Sequence, residues 1–172
     1  MSDRSLEILE TLHTWGVPYT MVEHEPALGM DDLPPIVQKL GPPFFRNLFL
    51  CNRQKTEFYL LLIVGDKPFR TAEVSKKLGV SRLSFGDADT LYDMLGVTPG
   101  AVNPLSLLFD PDKKIHLVID SDILGWERAC MHPGVNTKSI AVSMDDFKNV
   151  ILPRLGQEPV VLTLTGTSEP QQ

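Results

Sequence analysis

The chain has 172 residues, of which 42% are hydrophobic and 22% charged, with a net charge of −6. That is enough apolar chain for one core, and the acidic balance argues against broad, sequence-independent binding to DNA or other nucleic acid, which relies on many Lys and Arg facing phosphates. A small local contact with a few phosphates stays open, whereas a membrane partner does not: the longest apolar run, Leu60 to Val64, falls far short of the ~20 residues of a bilayer span.

Taken in chain order, SLEILETLHTW puts Leu6, Leu9 and Leu12 on a helical stripe, with Ile8 and Trp15 less regularly placed. Ser2 or Ser5 is the candidate cap, and Gly16 and Pro18 close the helix. YTMVEH reads as a strand. A short helix follows, capped by Asp31 or Asp32, carrying Pro34 and Pro35 in its first turn and stopped by Gly41. FFRNLFLCN and EFYLLLIVGD, separated by the polar RQKT, form the pattern of a hairpin of well-buried strands at the sheet's centre.

TAEVSKKLG is a helix ending at Gly79, and DADTLYDMLG is one running from an Asp cap to Gly96; the pair is expected to cover one face of the sheet. KIHLVID, WERACM and SIAVS are strands, MDDFKNVILPRLG is a helix capped by Ser143, and PVVLTLT is a last strand. Residues 1–166 then form one domain and 167–172 a frayed tail with nothing to bury. Cys51 and Cys130 match no paired-cysteine spacing, and the start lacks the order of a signal peptide, so a reduced, cytoplasmic chain is expected. The mixture of short strands and helices without strict alternation points to an α/β or α+β fold, a mixed sheet wrapped by helices.

Three segments offer chemistry. Arg46 sits in a strand that is apolar on both faces, a costly place for a charge unless it is paired or reaches water. It fits two roles: an arginine at the strand's end that meets an Asp or Glu, or one at a pocket's floor or rim that binds a carboxylate, carbonyl or phosphate. Gly100-Ala101-Val102-Asn103-Pro104 is a stiff turn whose exposed amides suit an anion or an ester. His132, Asn136 and Thr137 offer donors and acceptors on a short loop, where His132 serves either a structural hydrogen bond or catalysis. The four histidines show no metal-ligand spacing. Cys51 reads as a core thiol, while Cys130 shares a face with His132 if its strand runs that far.

In order and spacing, RNLFL before a polar hairpin, RLSF, LGVTPGAVNPLSLL, HPGVNT, then a helix and PVVL resemble the free-standing aminoacyl-tRNA editing domains. These are related to YbaK and to the insertion domain of bacterial prolyl-tRNA synthetase, and within them the pattern is similar to the ProX (ProXp-ala) prolyl-tRNA editing proteins. The resemblance spans roughly Leu6 to Leu164. It implies a mixed sheet curled into a partial barrel with flanking helices, and hydrolysis of alanine wrongly attached to proline tRNA without a cofactor, a metal or a protein nucleophile. It also implies partners, the acceptor end of an aminoacyl-tRNA and, alongside it, prolyl-tRNA synthetase.

By the same resemblance Gly100, Ala101, Val102 and Pro104 position the ester, and His132, Asn136 and Thr137 line the pocket. Between Pro26 and Leu40, Leu33, Ile36 and Val37 are expected to form the apolar wall of a pocket too small for proline. The family's strand motif is Lys-Asn-Leu-Phe-Leu, so Arg46 and Asn47 stand where a functional lysine and its neighbour are kept. A guanidinium is wider and forked where an ammonium is compact, which leaves three outcomes: activity kept, specificity moved to another small amino acid, or binding without turnover.

Overall fold

The computed structural model describes residues 4–26 and 34–166. Helix α1 (Arg4–Thr14) is followed by β1 (Thr20–Glu23), α2 (Pro34–Leu40), β2 (Phe45–Cys51) and β3 (Phe58–Val64). Next come α3 (Thr71–Leu78), β4 (Ser84–Phe85), α4 (Ala88–Leu95) and β5 (Ile115–Asp120), then β6 (Arg128–Met131), β7 (Lys138–Ser143), a last helical stretch and β8 (Val160–Leu162). The strands split into two sheets, β4-β2-β3-β5-β8 and β1-β7-β6, joined by a bridge between Phe44 and Cys130. The predicted mixed α/β architecture is therefore present as an open, two-sheet form rather than a closed barrel. Among the described residues no helix is long and apolar enough to cross a membrane.

The predicted hairpin is antiparallel, with Phe45 opposite Val64 and Cys51 opposite Phe58, and β3 lies at the centre of its sheet, paired in parallel with β5. Because side chains alternate, Phe45, Phe49, Leu60, Leu62, Leu117 and Ile119 join one core with Ile8, Leu12, Leu91, Leu95 and Phe147. Leu50, Leu61, Ile63 and Val118 join another with Val74, Leu83, Leu162 and Leu164. Each fully buried leucine here contributes about 2 kcal/mol.

This division corrects the expectation that α3 and α4 share a face. Val74 of α3 and Leu91 and Leu95 of α4 pack on opposite sides of the same sheet. The stripe of α1 is likewise rotated from the predicted one: Ile8 and Leu12, one helical turn apart, are buried, whereas Leu6 is 59% exposed. Ser5 is not a cap but a buried residue inside α1 that accepts a hydrogen bond from Lys138 Nζ at 3.2 Å. Asp31, Asp32 and Leu33 lie outside the described residues.

Other local predictions are met. Asp87 Oδ1 accepts from the Thr90 amide at 2.7 Å, Ser143 Oγ from that of Asp146 at 3.0 Å, and Gly79 and Gly96 end their helices in the left-handed region. The helix after Ser143 carries a π turn, Phe147–Ile151, in which the Leu152 amide reaches back to Phe147. Pro153 supplies the cause, since it has no amide to donate and its ring collides with the carbonyl four residues earlier.

The C-terminal strand is fastened by charge. Lys67 Nζ pairs with the fully buried Asp120 at 2.8 Å and donates to the Leu164 carbonyl at 2.8 Å. Glu73 on α3 accepts from the Thr165 amide (2.7 Å) and hydroxyl (2.6 Å), the Gly166 amide (2.9 Å) and Lys77 (3.2 Å). Burial alone would raise the Glu73 pKa, but these donors bring it down to about 2 from 4.5. A depressed folded-state pKa stabilises in full above the unfolded value and is lost as pH falls, here between about 4.5 and 2, by about 3 kcal/mol. Urea unfolding across pH 2–7 should show this acid loss, and Glu73→Gln should be less stable at pH 7 with a flatter acid limb.

Candidate active site

The Gly100 turn is built by its neighbours. Pro99–Ala101 forms one 3₁₀ turn, closed by the Ala101 amide on the Thr98 carbonyl at 2.9 Å, and Pro104–Phe109 forms a second. Pro104 opens that second helix where a missing amide costs nothing. Ala101 and Val102 are buried and Gly100 is exposed. Gly100 is outside the left-handed region, and among the described residues a Cβ added there would meet only Asn136 Nδ2, at 3.7 Å, an ordinary contact, so neither the backbone nor these neighbours require glycine.

Asn103, which sequence reasoning left out of the site, joins the turn to the His132 segment. It is 0% exposed, its Oδ1 accepts from the Leu105 amide at 2.9 Å, and its Nδ2 donates to the carbonyls of Ala101 (3.1 Å) and His132. The signal was in the sequence: an Asn before Pro, with Ser106 three residues on, is a capping pattern, and the Ser106 hydroxyl accepts from the Asn103 amide at 3.2 Å.

His132 follows β6, and its ring centroid lies 5.2 Å from that of Phe44. Its Nδ1 faces the Lys138 carbonyl and the Ser139 hydroxyl, each at 3.1 Å. Burial lowers the His132 pKa below the ordinary imidazole value, the Lys138 carbonyl opposes this, and His24 reinforces it, so the ring is neutral near pH 7. Gly134, with φ +81, carries the chain out of this position, and its amide donates to the His132 carbonyl at 2.8 Å. Asn136 is half-buried beside Gly100, and the Thr137 carbonyl accepts from the His24 amide at 2.8 Å.

The α2 wall lies on the His132 side: Ile36, Val37 and Leu40 pack with Phe44, Cys130 and Ala141. β6 ends at Met131, so the strand does not run on to His132, and the Cys130 thiol donates to the Pro42 carbonyl at 3.0 Å while burial pushes its pKa up to about 12, although Arg128 opposes. A thiol held protonated in this way is no nucleophile.

Within β2 Arg46 lies on the face of Leu48 and Leu50, opposite Phe45 and Phe49. Its Nη1 donates to the carbonyls of Lys67 at 3.0 Å and Gly65 at 3.4 Å, and among the described residues no acidic side chain pairs with it. The expected Asp or Glu partner is thus replaced by main-chain oxygens, on a turn that the Lys67–Asp120 pair holds in place. Asn47 points to the opposite face, and its Oδ1 is buried without a hydrogen-bond partner among the described residues. The structure therefore joins Gly100, Ala101, Val102 and Pro104 to His132 and Asn136, sets Ile36 and Val37 beside Phe44, turns Arg46 to the Gly65 and Lys67 carbonyls and separates Asn47 from Arg46.

A family model for the aminoacyl-tRNA editing domain matches residues 24–150. The chain belongs to the aminoacyl-tRNA editing domain family. The match runs from His24 into the last helix and so takes in Arg46, Gly100, Asn103, His132 and Asn136 of this editing domain. Prolyl-tRNA editing protein ProX of Acetoanaerobium sticklandii is 26% identical over 149 residues, covering 87% of this chain and 91% of ProX. Prolyl-tRNA synthetase associated domain-containing protein 1 of Bos taurus is 30% identical over 146 residues, covering 83% of this chain and 84% of its own. A solved structure of a candidate trans-editing enzyme for prolyl-tRNA synthetase superposes with a TM-score of 0.69 over 96% of this chain and 98% of that one. At 16% identity, that likeness is one of fold.

Proposed function

We propose that this editing domain is a trans-acting aminoacyl-tRNA deacylase that removes alanine from mischarged proline tRNA, proofreading for prolyl-tRNA synthetase. The observation that carries the reading is the Gly100 turn, held against the His132 segment by the buried Asn103, with a glycine that its described neighbours do not require. In this mechanism a water oxygen bonds to the acyl carbonyl carbon, the bond from that carbon to the ribose oxygen breaks, and the water's proton passes to the ribose oxygen. Main-chain donors of the turn stabilise the oxyanion that develops, and the neighbouring ribose hydroxyl assists the water. His132 and Asn136 bind the aminoacyl group, and Ile36, Val37 and Leu33 limit its size. Arg46, with no acidic partner among the described residues, faces a phosphate of the acceptor end.

A second reading is a module that binds aminoacyl-tRNA or the synthetase without turnover. Two carbonyls already hold the Arg46 guanidinium where the family pattern has a compact lysine, and this favours it. Deacylation of Ala-tRNA(Pro), Ser-tRNA(Pro) and Pro-tRNA(Pro) by wild type and Arg46→Lys separates the two. The editing reading expects alanine to be released about 100-fold faster than proline, with Arg46→Lys still active. An inert wild type beside an active Arg46→Lys establishes the binding module instead.

A further inference from the structure

Two histidines and a serine, far apart in sequence, form a hydrogen-bonded chain across the three-stranded sheet. His24 continues the β1–β7 pairing through its amide on the Thr137 carbonyl, Ser139 lies on β7 opposite Val22, and His132 follows β6. His24 Nδ1 lies 2.7 Å from the Glu25 carbonyl, His24 Nε2 lies 2.7 Å from Ser139 Oγ, and Ser139 Oγ lies 3.1 Å from His132 Nδ1. Ser139 is 0% exposed, so bulk water does not compete for its hydroxyl.

The direction of the chain follows from its two ends. A carbonyl can only accept, so His24 Nδ1 carries the hydrogen given to Glu25, and in the neutral ring Nε2 is bare. The Ser139 hydroxyl must then donate to that Nε2, which leaves its oxygen as an acceptor towards His132. His132 Nδ1 thus faces two acceptors, the Ser139 oxygen and the Lys138 carbonyl, and carries a hydrogen itself. The remaining nitrogen of His132, Nε2, is the bare one.

We infer that His24 is a positioning residue that takes the hydrogen of the Ser139 hydroxyl and so, with the Lys138 carbonyl, holds His132 as its Nδ1–H tautomer, keeping Nε2 as an acceptor for an N–H or O–H of the aminoacyl ester or its attacking water. The inference rests on the editing reading for what Nε2 receives, but not for the tautomer.

Long-range proton–nitrogen correlation spectra of the whole chain with labelled histidine read the tautomer directly, without substrate. Wild type should show His132 with hydrogen on Nδ1. His24→Phe, which frees the Ser139 hydroxyl to donate to His132 Nδ1, should move it towards the Nε2–H form, whereas adding Ser139→Ala to His24→Phe leaves only the Lys138 carbonyl at Nδ1 and should return it to Nδ1–H. In deacylation His24→Phe should lower kcat by about 10- to 100-fold with little change in KM, and the double variant should recover. An Nε2–H tautomer in folded wild type, or a tautomer unmoved in His24→Phe, overturns the inference. A tautomer that shifts as expected in a chain that hydrolyses none of the three aminoacyl-tRNAs supports the chain of hydrogen bonds and removes the editing reading alone.

Discussion

Gly100→Ala should lower deacylation of Ala-tRNA(Pro) by about 100-fold or more while leaving the melting temperature at or slightly above that of wild type. The methyl group strains neither the backbone nor the described surroundings, because Gly100 is outside the left-handed region and its only new neighbour among the described residues is Asn136 Nδ2 at 3.7 Å. It enters the space between the turn and the His132 segment, where the proposed ester must approach main-chain amides closely. Gly134→Ala provides the contrast. Its backbone is left-handed and its Cβ would press on Arg4 Cβ and Ile8 Cδ1 at 3.1 Å, so there stability should fall, by about 1–3 kcal/mol. Thermal melts and deacylation rates on both variants check the pair. A Gly100→Ala protein with full activity would show that nothing approaches that turn.

Asn103→Ala should both destabilise and inactivate. The side chain is fully buried and serves the Leu105 amide and the carbonyls of Ala101 and His132. Truncation leaves those groups without partners in a site closed to bulk water, at a cost of about 2–4 kcal/mol, and it frees the turn from the segment that carries His132. Urea unfolding should show the lost stability, and activity should stay low under conditions where the variant is fully folded. Asn103→Asp keeps the acceptor for Leu105 but loses both donations, so it should resemble alanine in activity more than wild type.

Much of this arrangement is legible in the sequence wherever the physics is local. Asp87, Gly79, Gly96 and Ser143 mark helix ends because capping depends on residues within one turn, and the β2–β3 hairpin follows from two apolar runs around a polar turn. The placement of α3 and α4 on opposite faces is not local: both helices are amphipathic, and only the strand alternation they meet decides the side. Leu6 and Ile8 differ in burial for the same reason, since the hydrophobic stripe of a short helix is fixed by what it packs against.

The site divides along the same line. Gly100, His132 and Asn136 stand out through turn chemistry and motif spacing. The partners of Arg46 are carbonyls 19 and 21 residues away, which no side-chain pattern reveals. His24 and Ser139 are 115 residues apart and meet only because β1 pairs with β7. Asn103 is the exception, a capping residue visible locally whose second duty to His132 is not.

The most direct test of the account is the rate of alanine release from Ala-tRNA(Pro) by wild type beside Gly100→Ala, at equal concentrations of folded protein. The account predicts rapid release by wild type and a rate close to the uncatalysed one for the variant. Equal rates for the two proteins, whether fast or absent, would contradict an editing site at the Gly100 turn.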